Sequence, residues 1–101
     1  SIMSKPELVK YQPSSKLVAS AVSTETVILD YEAGKYFSLD GVGSFVWEKL
    51  KSDGPLSLPE LCDLVTGEYE VEESQCKADL TALLQDLVKN GLVTTTQDGP
   101  V

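Results

Sequence analysis

Histidine is absent from this chain of 101 residues, which closes off the commonest routes to catalysis. Without an imidazole base, neither a Ser-His nor a Cys-His nucleophile pair can form. The two cysteines, Cys62 and Cys76, have thirteen residues between them. Zinc sites draw on clusters of cysteine and histidine, and two thiols at this spacing do not make one. They read as reduced thiols acting as small core hydrophobes, with a disulfide as the minor alternative. The carboxylates fall on solvated helix faces rather than as a pair in an apolar pocket, where acid–base work would need them. Gly41-Val42-Gly43 is a lone GxG: Val46 stands at the third glycine position and no P-loop lysine follows, so no phosphate site is expected. Tyr36 reads as a packed or groove-lining ring rather than a catalytic acid. The expectation is a non-enzyme with no catalytic residue, no metal and no cofactor.

What remains is binding, and the stretch from Val27 to Gly43 is the most informative. Val27, Leu29 and Tyr31 alternate with period two, and Gly34 supplies the left-handed backbone of a tight hairpin. Lys35 to Leu39 then reads as the last strand of a small sheet, with one edge open to a visiting peptide. Leu17 to Val22 is the first strand and Thr26 to Tyr31 the second. Asp40 stands at a helix N-cap position. Val42, Phe45, Val46 and Leu50 follow with helical spacing, Trp47 adjoins them, and Asp53-Gly54-Pro55 stops the helix.

Ser57-Leu58-Pro59-Glu60 matches a capping box, and Leu58, Leu61, Cys62 and Val65 share one face of the helix behind it, up to Gly67. The third helix is the clearest. Cys76, Leu80, Leu83, Leu84, Leu87 and Val88 recur at helical spacing, and Asn90-Gly91 is a C-terminal cap. The fold class is therefore α+β: a winged helix-turn-helix-like domain, a three-stranded antiparallel sheet followed by three helices. Residues 1–16, punctuated by Pro6 and Pro13, are expected as a flexible arm, 17–93 as the domain, and 94–101 as a frayed tail. Trp47, Phe45, Phe37 and the leucines of the last helix are expected to be largely buried. Ser1-Ile2 ahead of Met3 reads as a cleavage remnant.

Charge sorts the partners. Eight basic against sixteen acidic residues give a net charge of −8, and Glu60, Asp63, Glu68 and Glu70 lie in a stretch without lysine or arginine. Nucleic acid, bound mainly by neutralising phosphates, would be repelled. No apolar run approaches the roughly 20 residues that span a bilayer, and no signal peptide opens the chain, so a cytoplasmic protein without membrane association is expected.

The run Leu29-Asp30, Gly34-Lys35-Tyr36-Phe37, Leu39-Asp40, Val42-Gly43, Val46-Trp47 and Leu50 resembles the PqqD-like family. So does Leu80, Leu83, Leu87, Gly91-Leu92-Val93. The resemblance covers residues 17 to 93, departing at Asp40, where asparagine is commoner, and at the polar Ser44-Phe45 pair. Family members are peptide-recognition elements of pathways to ribosomally synthesised, modified peptides. The resemblance implies that the leader segment of a precursor peptide adds as a strand to the third strand, in a groove completed by the last helix. A maturation enzyme would then receive it. A cysteine protease that removes the leader in a lasso-peptide pathway is favoured, and a radical-SAM peptide-modifying enzyme is the alternative. A winged-helix transcriptional regulator is a distant one.

The peptide-binding residues implied are Lys35, Tyr36, Phe37, Ser38 and Leu39 on the strand, with Asp79, Leu83, Asp86, Leu87 and Asn90 on the helix. Tyr36 and Ser38 share one face of the strand and Phe37 and Leu39 the other; which pair meets the core is open at this level. If the stripe of Asp79, Leu83, Asp86 and Asn90 faces the groove, its carboxylates would favour a leader carrying lysine or arginine. The open edge can also pair with its twin, so a monomer or a weak edge-strand dimer is expected.

Overall fold

Alternation, caps and turn residues place the elements of the computed structural model, which describes residues 9–97. Strand β2 (Leu17–Val22) turns through Ser23 and Thr24 into β3 (Glu25–Asp30), and β3 through Tyr31 to Gly34 into β4 (Lys35–Asp40). Asp30 organises the second turn. Its carboxylate accepts from the Glu32 and Ala33 amides, each at 3.1 Å, and its carbonyl from Gly34 N–H at 2.9 Å. Gly34 has φ +66°, a value L side chains rarely adopt. The three strands form one antiparallel sheet in the order β2-β3-β4.

Helix α1 (Gly41–Asp53) leaves β4 directly. The expected Asp40 cap differs from what is observed: Asp40 occupies the N-cap position but makes no side-chain capping bond. Instead Gly41 N–H donates to the Thr24 carbonyl at 3.2 Å, so the sheet ladder runs into the first residue of the helix. Helix α2 (Leu58–Glu68) has the full capping box, with Glu60 N–H donating to Ser57 Oγ and Ser57 N–H to Glu60 Oε1. Helix α3 (Glu73–Lys89) closes through Gly91 at φ +75°. Gly91 N–H donates to Val88 O and Leu92 N–H to Leu87 O, the paired bonds of a Schellman cap.

A second sheet corrects the expected arm and tail. Strand β1 (Val9–Pro13) lies between the two-residue β5 (Leu56–Ser57) and β6 (Val93–Gln97), all antiparallel. From Val9 the arm is a strand, and the tail is one through Gln97; residues 1–8 and 98–101 lie outside the described residues. Tyr11 packs on the core, Val93 is buried within it, and β-branched threonines fill the exposed part of β6. Ser14 staples the junction, its N–H donating to Leu92 O and its hydroxyl to Gly91 O.

Between the sheets and helices, Ile28, Val46, Trp47, Leu50, Leu61, Val65, Leu80, Leu84 and Leu92 are almost fully enclosed. Phe37, Phe45 and Leu83 are only half-buried, less than expected, and Val88 is exposed. The Ser44-Phe45 pair now has a physical account. Ser44 turns inward to a buried hydroxyl–hydroxyl bond with Thr26, locking α1 onto β3. Phe45 turns outward, edge-on to Tyr69 and beneath the Lys49 ammonium.

Cys62 and Cys76 are free and buried. Burial pushes the Cys62 thiol up to about 11, helped by the charge and hydrogen bond of Cys76 and by Asp63 and Glu73. Unfolded, the thiol loses its proton near 9.0; folded, it holds it to higher pH. Its contribution to stability is thus complete below pH 9 and declines between about pH 9 and 11. Urea melts across that range should show a steeper loss in the wild type than in Cys62→Ala. Two point changes test the helix ends. Ser57→Ala should cost about 1 kcal/mol and Gly91→Ala about 1–2 kcal/mol, both measured by urea unfolding at pH 7.

Candidate peptide-binding site

The open margin of the β2-β3-β4 sheet is built by hydrogen-bond parity. Gly41 N–H bonds to Thr24 O, and in an antiparallel ladder bonded and non-bonded pairs alternate. With the observed register, Thr26↔Leu39, Ile28↔Phe37 and Asp30↔Lys35 are therefore the bonded pairs. The amides and carbonyls of Lys35, Phe37 and Leu39 are spent on β3. Those of Tyr36 and Ser38 point away from it, and among the described residues β4 pairs with β3 alone.

Side chains follow the same alternation. Phe37 and Leu39 turn to the core, with Leu39 Cβ 3.7 Å from where a Cβ on Gly43 would stand. Tyr36 is 74% exposed, and Ser38, also on the outer face, donates to Glu25 Oε2 at 2.7 Å. This answers which pair meets the core. The outer face is apolar in patches: Val18, Leu29 and Tyr36 form one row across the three strands, with Val27 beside it. Lys35 stands exposed at the hairpin end of β4.

The helical candidates divide. Asp79 is exposed on α3 and accepts from Gln75 Nε2 at 2.8 Å. It borders an apolar cavity of about 270 Å³ lined by Val42, Val65, Val71 and Leu80, with Cys76 on its wall and Tyr69 and Glu70 on its border. Val42 lies in the first turn of α1, two residues beyond β4, so this cavity lies between the start of α1, the end of α2 and the first half of α3. Leu83 is half-buried against the core. Leu87 is 2% exposed and belongs to the core with Leu80 and Leu84, as the leucine spacing of the helix predicts, so it lies beneath the groove rather than on its surface.

Asp86 and Asn90 sit at the far end of α3, Asn90 about 16 Å along the axis from Asp79 at 1.5 Å per residue. They do not line the cavity. Asn90 is taken up by the helix terminus, its Nδ2 donating to Asp86 O at 2.9 Å. Sequence reasoning missed the cavity itself. Its one legible signal is apolar Val71, with Tyr69, in the linker between α2 and α3, where a solvated loop would carry neither. Among the described residues, no group of three His, Cys, Asp or Glu could hold a metal ion, and no helix is long and apolar enough to cross a membrane.

Two solved structures are similar. TbiB1 in complex with the TbiA(beta) leader peptide is 30% identical, with a TM-score of 0.75 over 81% of this chain and 93% of that one. A lasso peptide synthetase B1 complexed with its leader peptide shares the fold at 24% identity, with a TM-score of 0.72 over 83% and 96% of the two chains. No curated protein matches the chain. The family of coenzyme PQQ synthesis protein D matches residues 25–93, from the first residue of β3 to the first of β6. With that pattern running through β4, all three helices and the Schellman turn, the chain belongs to the PqqD family.

Proposed function

We propose that this protein binds the leader segment of a ribosomally made precursor peptide as an added strand on β4, beside α3, and hands it to a maturation enzyme. The observation that carries this reading is the pair of outward residues Tyr36 and Ser38, which offer two amides and two carbonyls at the sheet margin. Strand addition uses such groups for affinity and neighbouring pockets for specificity. The two similar structures, both leader-peptide complexes, support the same reading. One of them is a lasso peptide synthetase B1, which is in keeping with a lasso-peptide pathway; in such a pathway the recipient would be a cysteine leader peptidase. The family's link to coenzyme PQQ synthesis keeps a radical-SAM peptide-modifying partner as the second reading. In either case the protein is an adaptor rather than an enzyme, working in the cytoplasm where precursors are made.

The binding residues in this reading are Tyr36 and Ser38 through their backbone, and Lys35, Phe37 and Leu39 through the shape of the strand. Asp79 and Leu83 border the guest on α3, and Asp86 and Asn90 lie further along. The acidic surface disfavours the regulator alternative, because α3 itself carries Glu73, Asp79 and Asp86 against Lys77 and Lys89.

Proline separates the two margins of the sheet. By the same parity, Ala21 on β2 points its amide outward, as Ser38 does on β4. Edge positions tolerate proline but lose the donor. Titrating the leader peptide of its cognate precursor should give a micromolar dissociation constant. Ser38→Pro should weaken it at least tenfold, by about 1.4 kcal/mol or more, while Ala21→Pro leaves it unchanged and both variants keep the far-UV circular dichroism spectrum. Affinity lost in Ala21→Pro and kept in Ser38→Pro would place the guest on the opposite margin. Binding of duplex DNA with no binding of leader would overturn the reading altogether.

A further inference from the structure

We infer that Glu70 and Asp79 make this protein selective for leaders that place a lysine or arginine next to an apolar anchor residue. The inference rests on the strand-addition reading above and concerns what lies beyond the end of the strand. A guest paired along Tyr36 and Ser38 and continuing past Asp40 would approach Val42, two residues beyond the strand, which lines the cavity. That cavity, at about 270 Å³, is below the roughly 300–1,000 Å³ of a pocket for a free small molecule. It suits a side chain or two presented by a chain already held alongside. Its walls are apolar: Val42, Val65, Val71 and Leu80.

Both charged residues on the border of this cavity are acids, and no lysine lines it. Asp79 is held by the neutral Gln75 amide, which orients the carboxylate without cancelling its charge. Glu70 lies in Glu68-Tyr69-Glu70-Val71-Glu72-Glu73, four acids with no basic residue among them. A guest whose apolar side chain fills the cavity brings its neighbours to this border. A cation there gains two carboxylates, whereas an acid meets repulsion. Charge at such a rim discriminates between partners more than it adds affinity.

The test uses the full chain and a fluorescein-labelled synthetic leader peptide that carries lysine or arginine beside an apolar anchor residue, read by anisotropy at 50 and 500 mM NaCl. The double variant Glu70→Gln/Asp79→Asn changes only exposed groups. It should weaken binding about three- to tenfold at low salt and flatten the salt dependence that the wild type shows. Replacing the leader's lysine or arginine beside its anchor by glutamine should weaken the wild type by the same factor and leave the double variant unaffected. Val71→Trp, which fills the cavity, should lower affinity for both leaders. Equal affinity and equal salt dependence in wild type and double variant would overturn the inference while leaving strand addition intact. Failure of the wild type to bind any leader would instead remove the functional reading. Sedimentation showing that the wild type dimerises and Val71→Trp does not would assign the cavity to a second copy, and would also overturn the inference.

Discussion

Register in the β3–β4 ladder is the constraint on which the rest depends. The side-chain period of a strand is two, so a slip of one residue would exchange every inward group for an outward one. Phe37 and Leu39 would face water, the Tyr36 ring would press into a core already filled by Trp47 and Ile28, and the outward amides would belong to Phe37 and Leu39. Two devices prevent this. At one end, Asp30 sets the loop length by accepting three hydrogen bonds, from Glu32 and Ala33 N–H on its carboxylate and from Gly34 N–H on its carbonyl. At the other, Gly41 N–H extends the ladder to Thr24 while Thr26 and Ser44 bond beneath it. The second device uses hydroxyls nearly sealed from water, where an unpaired group costs about 1–3 kcal/mol. Misregister would leave both unpaired, so the cost of polar burial becomes a check on pairing.

The same margin limits what the backbone can contribute to binding. Four edge hydrogen bonds at about 1 kcal/mol net each roughly match the 2–5 kcal/mol spent in ordering a flexible segment. Backbone pairing alone would capture any extended peptide weakly, and that includes a second copy of this chain. Selectivity must come from side chains. The apolar cavity next to Val42 lies where the strand ends and the helix begins. Each buried anchor there adds about 1.5–3 kcal/mol.

Much of this fold is legible in the sequence because its signals are local. The β2-β3-β4 sheet follows from alternation and turn residues, and the three helices from apolar spacing bounded by Ser57-x-x-Glu60 and Asn90-Gly91. Strands β1 and β6 were not legible, because β6 pairs with β1 alone and β1 only with the distant β5 and β6. Pro13 and the run of threonines carry no core-facing pattern strong enough to announce a strand, and their pairing joins residues eighty or more positions apart. Ser44 was opaque for a related reason: a buried hydroxyl makes sense only once its partner on another element is known. At the site, β4 could be found from the sequence but its facing could not, since that depends on one hydrogen bond at the strand–helix junction. Leu87 shares a helical stripe with Leu80 and Leu84, and that spacing alone reads as core, which the packing bears out.

Helix α3 then presents a conflict that the rim resolves. Its buried face carries Cys76, Leu80, Leu84 and Leu87, and the first two also line the cavity. Any change there that tuned the fit of a guest would also alter the core. Truncating a buried leucine costs about 2–5 kcal/mol, a large part of the roughly 5–15 kcal/mol that holds a domain together. A small domain has little room to vary such positions. Glu70 and Asp79 carry no such burden: both are exposed and neither fills the interior. Changes at these two positions can redirect the choice of guest while the packing beneath stays as it is. Specificity can therefore evolve on the border of the cavity, where it is independent of stability, rather than on the walls, where it is not.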